Sequence, residues 1–400
     1  MYRWLAGAGA TGTLVCTLIG LAPANISLAV GAAGGLLSRP RLPRLHGVWW
    51  VAAGFSLWCV SAGVLASWSD ADVSPFVGVN AMYSWLAFPL GLVAFSQTRW
   101  RVRAVRWLFI ACLAAFALAL LQTLVGFDAD GLLRLGGEPF SRVGGFLNGP
   151  LKFGAVVALI LPLALPARWR PWRITSHGWS ALLVSSVFLS GTRLAILGAA
   201  AAIAAFIVGL GGWRRWGSAV VAASLVLAAG LAAVGVRDPE RATRMLKGQD
   251  GRLGIWAATS HMVTDRPLLG HGGRQGFRAA YGAYYAAWLG EQAEAPRKPM
   301  RRTPHAHNLL LILASEHGVP AMLLHLSILG LILGQGWLAR DRDPVAFARM
   351  SAIVAVWITS GQFNNLISQG ESAYAFWLAL AWASCPLLMS TGWVETRTAS

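Results

Sequence analysis

Residues 194–211 read LAILGAAAAIAAFIVGLG, a run without a single charged side chain. An α-helix rises about 1.5 Å per residue, so this run nearly covers the roughly 30 Å of hydrocarbon in a bilayer. Because unpaired backbone groups are not tolerated in hydrocarbon, such a run predicts a transmembrane helix. Its small residues, from Gly198 to Ala205, favour close packing against neighbouring helices.

Runs of the same type recur along the whole chain. Of its 400 residues, 56% are hydrophobic and only 12% are charged, a balance that excludes a water-soluble globular domain of this length. The apolar runs long enough to span lie at about 4–22, 21–38, 46–68, 75–96, 105–125, 151–167, 176–191, 194–211, 216–235, 318–338, 345–366 and 372–391. The sequence therefore predicts an all-α integral membrane protein with about twelve transmembrane helices.

Arginine in the short connections predicts the orientation. It clusters in alternate connections, at 39–44, 99–106, 168–173, 214–215 and 340–342. The opposite connections, such as 67–75 and 366–372, carry neither Lys nor Arg. Since positive charge concentrates in cytoplasmic loops, both termini are predicted to be cytoplasmic.

One long segment, residues 236–305, is predicted to face outward although it holds twelve Lys and Arg against six Asp and Glu. Attraction to anionic lipid headgroups would explain this charge. A polyanionic substrate would explain it too, because Arg pairs well with phosphate oxygens. The segment is predicted to be a loop with two helices, at 251–264 and 276–289. It separates helices 1–9 in residues 1–235 from helices 10–12 and a short tail in residues 306–400.

The stretch His305-Ala306-His307-Asn308 lies where this loop returns to the membrane. A neutral imidazole there is suited to take a proton from a hydroxyl, because the unperturbed pKa of histidine lies near ambient pH. Metal ligation is an alternative, although a third and fourth ligand at suitable spacing are missing. Interfacial histidines that only cap a helix are the second alternative.

Four arginines are candidate ligands for an anion. Arg193 follows a turn so short that its guanidinium must lie near the headgroups, where it either has a partner or snorkels to lipid phosphate. Arg252 lies in the first turn of the first predicted loop helix, Arg274 follows the glycine-rich turn at 267–273, and Arg142 lies two residues before the pair Gly144-Gly145. Glycines beside an arginine let backbone N–H groups approach an anion closely.

Taken in order, four stretches between Arg142 and His325 resemble the O-antigen ligase and polymerase superfamily, multi-spanning bacterial enzymes with one large periplasmic loop. The stretches are 142–150, Thr192-Arg193, the run from Arg252 through Trp256 and Pro267–Gly270 to Phe277, and His305–Asn308 with Glu316 and Gly318 beyond it. The chain departs from the family pattern at Lys152, where Asn is frequent.

The resemblance implies a fold similar to the membrane-embedded glycosyltransferases of the C class, and a glycan substrate carried on undecaprenyl pyrophosphate. It implies that His307 is the catalytic base and that Arg193 and Arg252 hold the pyrophosphate. The predicted substrate-binding residues around these three are Arg142, Arg274, His305 and Asn308.

Two Asp-x-Asp pairs, at 70–72 and 128–130, suggest an alternative in which a divalent ion holds the donor phosphate. Both pairs lie in short polar turns, where acidic residues are expected for solvation alone. Because the arginines are able to neutralise phosphate charge, no metal and no other cofactor is predicted.

The predicted activity is that of an O-antigen ligase of the bacterial inner membrane. It would transfer glycan at the periplasmic face from undecaprenyl pyrophosphate to the lipid A-core oligosaccharide, with inversion at the anomeric carbon. A polymerase or a protein O-oligosaccharyltransferase of the same superfamily is the nearest alternative. A transporter of a lipid-linked glycan is more distant, because the cations lie at the outer mouth and not within the spans. Membrane lipids but no nucleic acid are expected as partners, and the sequence leaves the oligomeric state open.

Overall fold

The computed structural model describes residues 2–38, 45, 47–69, 74, 83–125, 143–147, 149–166, 174–237, 252–290, 305–367 and 369–389. Every regular element within these ranges is helical. The α-helices are α1 (Tyr2–Cys16), α2 (Leu21–Leu37), α3 (Val48–Ser69), α4 (Ala87–Phe95), α5 (Thr98–Val125), α6 (Pro150–Ala164), α7 (Ile174–Ser190), α8 (Arg193–Gly211), α9 (Trp216–Arg237), α10 (Arg252–Asp265), α11 (Gly273–Gly290), α12 (Leu309–His317), α13 (Val319–Leu338), α14 (Pro344–Gly361) and α15 (Gly370–Leu388). Short 3-10 helices at Tyr83–Leu86 and Gly212–Arg215 lead into α4 and α9.

Within the described ranges, five helices are long and apolar enough to cross a membrane: α3, α5, α8, α13 and α14. Helices α2 and α6 are apolar but shorter. Large apolar side chains on α5, such as Trp107 and Leu124, are exposed, which suits a surface that faces lipid tails. The predicted all-helical membrane fold is confirmed, whereas the count of twelve spans and the side on which the long loop lies stay predictions.

Helices α8, α14 and α15 pack at the centre of the molecule. The ring of Trp357 on α14 stacks on Phe376 of α15, with centroids 4.2 Å apart. A Cβ added to Gly198 would lie 2.3 Å from Ser360 Oγ, and one added to Gly209 would lie 2.7 Å from the Cα of Ala348. Helix α8 therefore approaches α14 at backbone distance, as its small residues predicted.

The two predicted loop helices are present as α10 and α11. Helix α10 is shifted by one residue from the predicted 251–264, and α11 begins three residues before and ends one residue after the predicted 276–289. Along α11 the buried rings of Phe277 and Tyr281 stack with centroids 5.5 Å apart, and Tyr281 and Tyr285 follow at 5.6 Å. These aromatic side chains form the core between the loop helices and do not make an open platform for sugars.

The apolar segment that follows the loop is two helices, because Gly318 separates α12 from α13. Gly318 has a φ of +87°, and a Cβ there would lie 1.7 Å from the carbonyl oxygen of Leu268. The backbone N–H of Val319 donates to the carbonyl of Pro267 at 2.7 Å. The glycine-rich turn of the loop is thus docked against the joint between α12 and α13.

Candidate active site

Residues 360–363, which end α14 and start the turn after it, hold together several elements of the predicted site, and we call them the α14 turn. Asn308 is the N-cap of α12, and its Oδ1 accepts the backbone N–H groups of Leu310 at 3.0 Å and Leu311 at 3.1 Å. Its Nδ2 donates to Oε1 of Gln362 at 3.0 Å. Asn308 therefore fixes the loop exit to the α14 turn.

Arg252, the first residue of α10, reaches the same turn. Its guanidinium carbon lies 5.8 Å from the centroid of the Phe363 ring, within the range of a cation–π interaction. One helical turn further along α10, the Trp256 ring lies 6.2 Å from the same ring. The start of α10 is thereby held beside the α14 turn.

Arg193, the first residue of α8, is also adjacent to this turn. The hydroxyl of buried Ser360 donates to the carbonyl of Leu194 at 2.8 Å. Helix α7 ends at Ser190, so the predicted short connection before Arg193 is confirmed. Three elements that carry predicted site residues, the starts of α8 and α10 and the loop exit, therefore contact one four-residue turn.

His307 has the strained backbone of the site. Among the described residues it is the one residue other than glycine with a positive φ, at +53°. A left-handed backbone costs a residue with a Cβ roughly 1–2 kcal/mol, and strain of this kind concentrates at functional sites. The ring centroids of His305 and His307 lie 4.1 Å apart.

The His305 imidazole supports the His307 backbone. Its Nδ1 accepts the backbone N–H of His307 at 3.2 Å, so in the neutral ring the proton lies on Nε2. Burial first, and then electrostatic interaction with His307, Arg274 and Arg278, lower the pKa of His305 to about 3. His305 is therefore neutral at ambient pH, and the field around it favours a negatively charged ligand.

Below these residues lies Glu316, buried at the end of α12. Burial raises the pKa of Glu316 to about 8, although Arg274 and Arg278 lower it in part. Within the described part of the chain its Oε1 has no hydrogen-bond partner. Burial also lowers the pKa of Arg274, while Glu316 acts in the opposite direction. Arg274, which the sequence predicts to bind substrate, therefore interacts electrostatically with His305 at the loop exit and with Glu316.

The helices from α7 to α13 carry a family signature. Residues 178–326 match the family model for O-antigen ligase. The resemblance to the O-antigen ligase and polymerase superfamily that the motifs predicted is confirmed over this segment. Together with this match, the apolar helices point to a multi-pass membrane protein. Members of this family are glycosyltransferase-like enzymes of O-antigen processing. No curated protein matches the chain.

The match to O-antigen ligase contains six of the predicted site residues: Arg193, Arg252, Arg274, His305, His307 and Asn308. It ends before the α14 turn. Sequence reasoning missed Gln362 and Phe363, because neutral residues near the end of an apolar run carry no signal that they meet a distant arginine or asparagine.

Arg142 lies outside the described residues, but the turn beside it, at 143–147, is described. The side-chain amide of Gln122 donates to the carbonyl of Gly145 and accepts its N–H, both at 3.0 Å. This paired contact is buried and fixes the turn to the end of α5.

The acidic pairs at 70–72 and 128–130 also lie outside the described residues. In the described part of the chain, no three His, Cys, Asp or Glu side chains gather as a metal site.

Proposed function

We propose that the protein is an O-antigen ligase, which transfers a glycan from undecaprenyl pyrophosphate to lipid A-core oligosaccharide at the periplasmic face of the inner membrane. The observation that carries this proposal is the α14 turn, which contacts the starts of α8 and α10 and the loop exit beside His307. In this proposal residues 236–305 are the periplasmic loop, held at both ends by the helices of residues 1–235 and 306–400, and both termini are cytoplasmic.

His307 is the proposed general base. His305 is less suited, because its Nδ1 already accepts a hydrogen bond and its Nε2 carries the proton. A hydroxyl of the acceptor sugar gives its proton to His307 while its oxygen bonds to the anomeric carbon of the donor. The bond from that carbon to the pyrophosphate breaks, and its electron pair leaves with undecaprenyl pyrophosphate. Direct displacement of this kind inverts the anomeric configuration.

Arg193 and Arg252 are proposed to hold the pyrophosphate. Each is the first residue of a helix, where backbone N–H groups and the helix dipole also favour an anion. The pyrophosphate gains negative charge as the glycosidic bond breaks, so fixed guanidinium groups stabilise the transition state more than the ground state. Arginines in these roles make the proposed mechanism independent of metal.

The remaining predicted residues, Arg142, Arg274, His305 and Asn308, are assigned to substrate binding around this centre. For Asn308 the contribution is restricted, because its Oδ1 caps α12 and its Nδ2 bonds Gln362. One N–H of its amide remains for a substrate oxygen. Its main effect is to position His307.

The test is transfer by purified protein in detergent. Given lipid-linked O-antigen and rough lipopolysaccharide, the protein should reduce the gel mobility of the acceptor, and a chelator should leave the rate unchanged. Growth of the lipid-linked glycan with an unmodified acceptor would identify a polymerase and overturn the proposal. Vesicles that move the donor across the bilayer without any covalent transfer would identify a transporter and overturn it as well.

A further inference from the structure

A partly buried ion pair joins the first turns of α6 and α15. The ammonium of Lys152 lies 3.2 Å from Oε1 of Glu371, and the hydrogen bond runs from Nζ to that oxygen. The Glu371 side chain is 5% exposed, whereas that of Lys152 is 34% exposed. Leaving a carboxylate unpaired at such a position is strongly unfavourable, so Lys152 is needed where Glu371 is present.

This pair lies beside the turn that carries Arg193. Two residues after Lys152, a Cβ added to Gly154 would lie 2.5 Å from Thr192 Oγ1 and 2.7 Å from Ser190 Oγ. The first turn of α6 therefore packs directly on the connection between α7 and α8. Lys152, the third residue of α6, and Arg193, the first residue of α8, thus lie near the starts of two helices that are in contact at that end.

The ammonium retains capacity for a ligand. It has three N–H donors, and within the described residues Glu371 is the acceptor that it reaches. A third of the Lys152 side chain is exposed, although the carboxylate it covers is buried. A lysine held by a carboxylate loses less conformational freedom on binding an anion than a mobile surface lysine would.

We propose that Lys152 is a further phosphate ligand of the donor site, and that Glu371 is the residue that positions it. The inference rests on the proposed function, because it names Lys152 as the third cation, after Arg193 and Arg252, to contact the phosphate groups of the lipid carrier. Phosphate on the acceptor core offers the same chemistry, so the experiment has an arm for each source.

The test uses full-length protein in detergent and measures binding of undecaprenyl pyrophosphate itself, which needs no turnover. The double variant Lys152→Gln with Glu371→Gln removes both charges and leaves no buried ion unpaired, so it should fold. We expect its Kd for the carrier to rise about tenfold, the size of one lost charge-assisted contact. Its apparent affinity for rough lipopolysaccharide should stay unchanged. Lys152→Arg, which keeps the charge, should retain most of the carrier affinity.

The charge-swapped variant, Lys152→Glu with Glu371→Lys, separates a ligand from a structural bond. It restores the ion pair but places the ammonium on α15, so its carrier affinity should remain low while its unfolding temperature stays close to that of wild type. Carrier binding at the wild-type level in either double variant would overturn the inference, as would a loss confined to lipopolysaccharide. Carrier binding is measured apart from transfer. A wild-type protein without transferase activity would refute the proposed function, but the effect of the Lys152 variants on carrier binding could still be interpreted.

Discussion

The glycine-rich turn at 267–273 and the loop exit at 305–308 both contain histidine. The structure gives these histidines different roles. In the glycine-rich turn at 267–273, His271 donates its backbone N–H to the carbonyl of Ser315 at 2.8 Å, and its Nε2 lies 3.0 Å from the carbonyl of Met262. Burial lowers the pKa of His271, which keeps the ring neutral. His271 therefore joins the loop to α12, and both its backbone N–H and its imidazole are used in structural hydrogen bonds.

The loop exit at 305–308 differs in its backbone. His307 adopts a left-handed conformation that glycine would adopt without cost, as Gly270 and Gly318 do nearby. A turn that needed only this shape would be better served by glycine, so the histidine indicates that its side chain is required. The comparison teaches that backbone strain, and not the presence of histidine, separates the candidate base from the structural residue.

The variant His307→Gly tests this distinction most strongly. It removes the proposed base and relieves the strain, so transfer should fall by about 10²–10⁴-fold while the unfolding temperature stays equal or rises. Carrier binding should be unchanged. The measurements are a gel-shift transfer assay and a thermal melt in detergent. A variant that transfers glycan at more than a tenth of the wild-type rate would move the base to another residue.

His271→Ala is its matched control. It should lower the free energy of unfolding by about 1–3 kcal/mol, because it removes the buried hydrogen bond between the imidazole and the Met262 carbonyl, which keeps only the Arg266 N–H, and because it opens a cavity. Turnover per folded molecule should remain within about threefold of wild type, since His271 has no proposed contact with substrate. Transfer lost to the same extent as in His307→Gly would erase the contrast between the two stretches.

Gly318→Ala tests the docking of the glycine-rich turn. The new Cβ would collide with the Leu268 carbonyl, and φ at this position is positive, so we expect destabilisation of more than about 2 kcal/mol. Gly330 lies in the same region of chain, inside α13, with nothing within 4 Å of an added Cβ. Gly330→Ala should be neutral or slightly stabilising. Equal melting temperatures for the two variants would contradict the described joint.

Much of the fold was accessible from the sequence because membrane helices depend on length and apolarity alone. The run at 194–211 is α8 within one residue, and the run at 21–38 is α2. The run at 318–338 is α13 within one residue, but the separate helix α12 before it was not predicted. The contact that requires a glycine at 318 was not accessible either, because the Leu268 carbonyl belongs to a loop residue that packs there only in the folded chain.

The candidate site divides in the same way. Arg193 was predicted because an arginine in so short a turn between spans is costly without a partner. The histidines were predicted from their position at the loop exit and from the pKa of imidazole, and the family resemblance selected His307. Phe363 and Gln362 could not be noticed, since a phenylalanine and a glutamine at the end of a span are ordinary until α14 meets α10 and α12. The pairing of Lys152 with Glu371 likewise required two helix starts that are distant in sequence.

Phe363→Leu addresses the part of the site that the sequence did not predict. Loss of the cation–π contact should leave the Arg252 guanidinium less firmly held and raise the KM for the lipid-linked donor by about 2–5-fold. The acceptor KM should stay the same, and Phe363→Tyr, which keeps a ring, should behave like wild type. Steady-state kinetics with each substrate varied in turn measure this. An unchanged donor KM in Phe363→Leu would show that Arg252 needs no support from the α14 turn.

The effect of His305→Gln on stability depends on pH. The pKa of His305 falls from 6.5 to about 3 on folding, so between these values the unfolded chain binds more protons and the free energy of unfolding falls as the pH drops. The variant lacks the His305 imidazole and this dependence on pH, so its melting temperature should fall less than that of wild type between about pH 7 and pH 4. His271, with a lowered pKa, and Glu316, with a raised one, are present in both proteins and cancel in the difference. If the melting temperatures of the two proteins changed in parallel over the whole pH range, His305 would be as solvated as an ordinary histidine. Its Nδ1 would then not be the neutral acceptor that supports the strained backbone of His307.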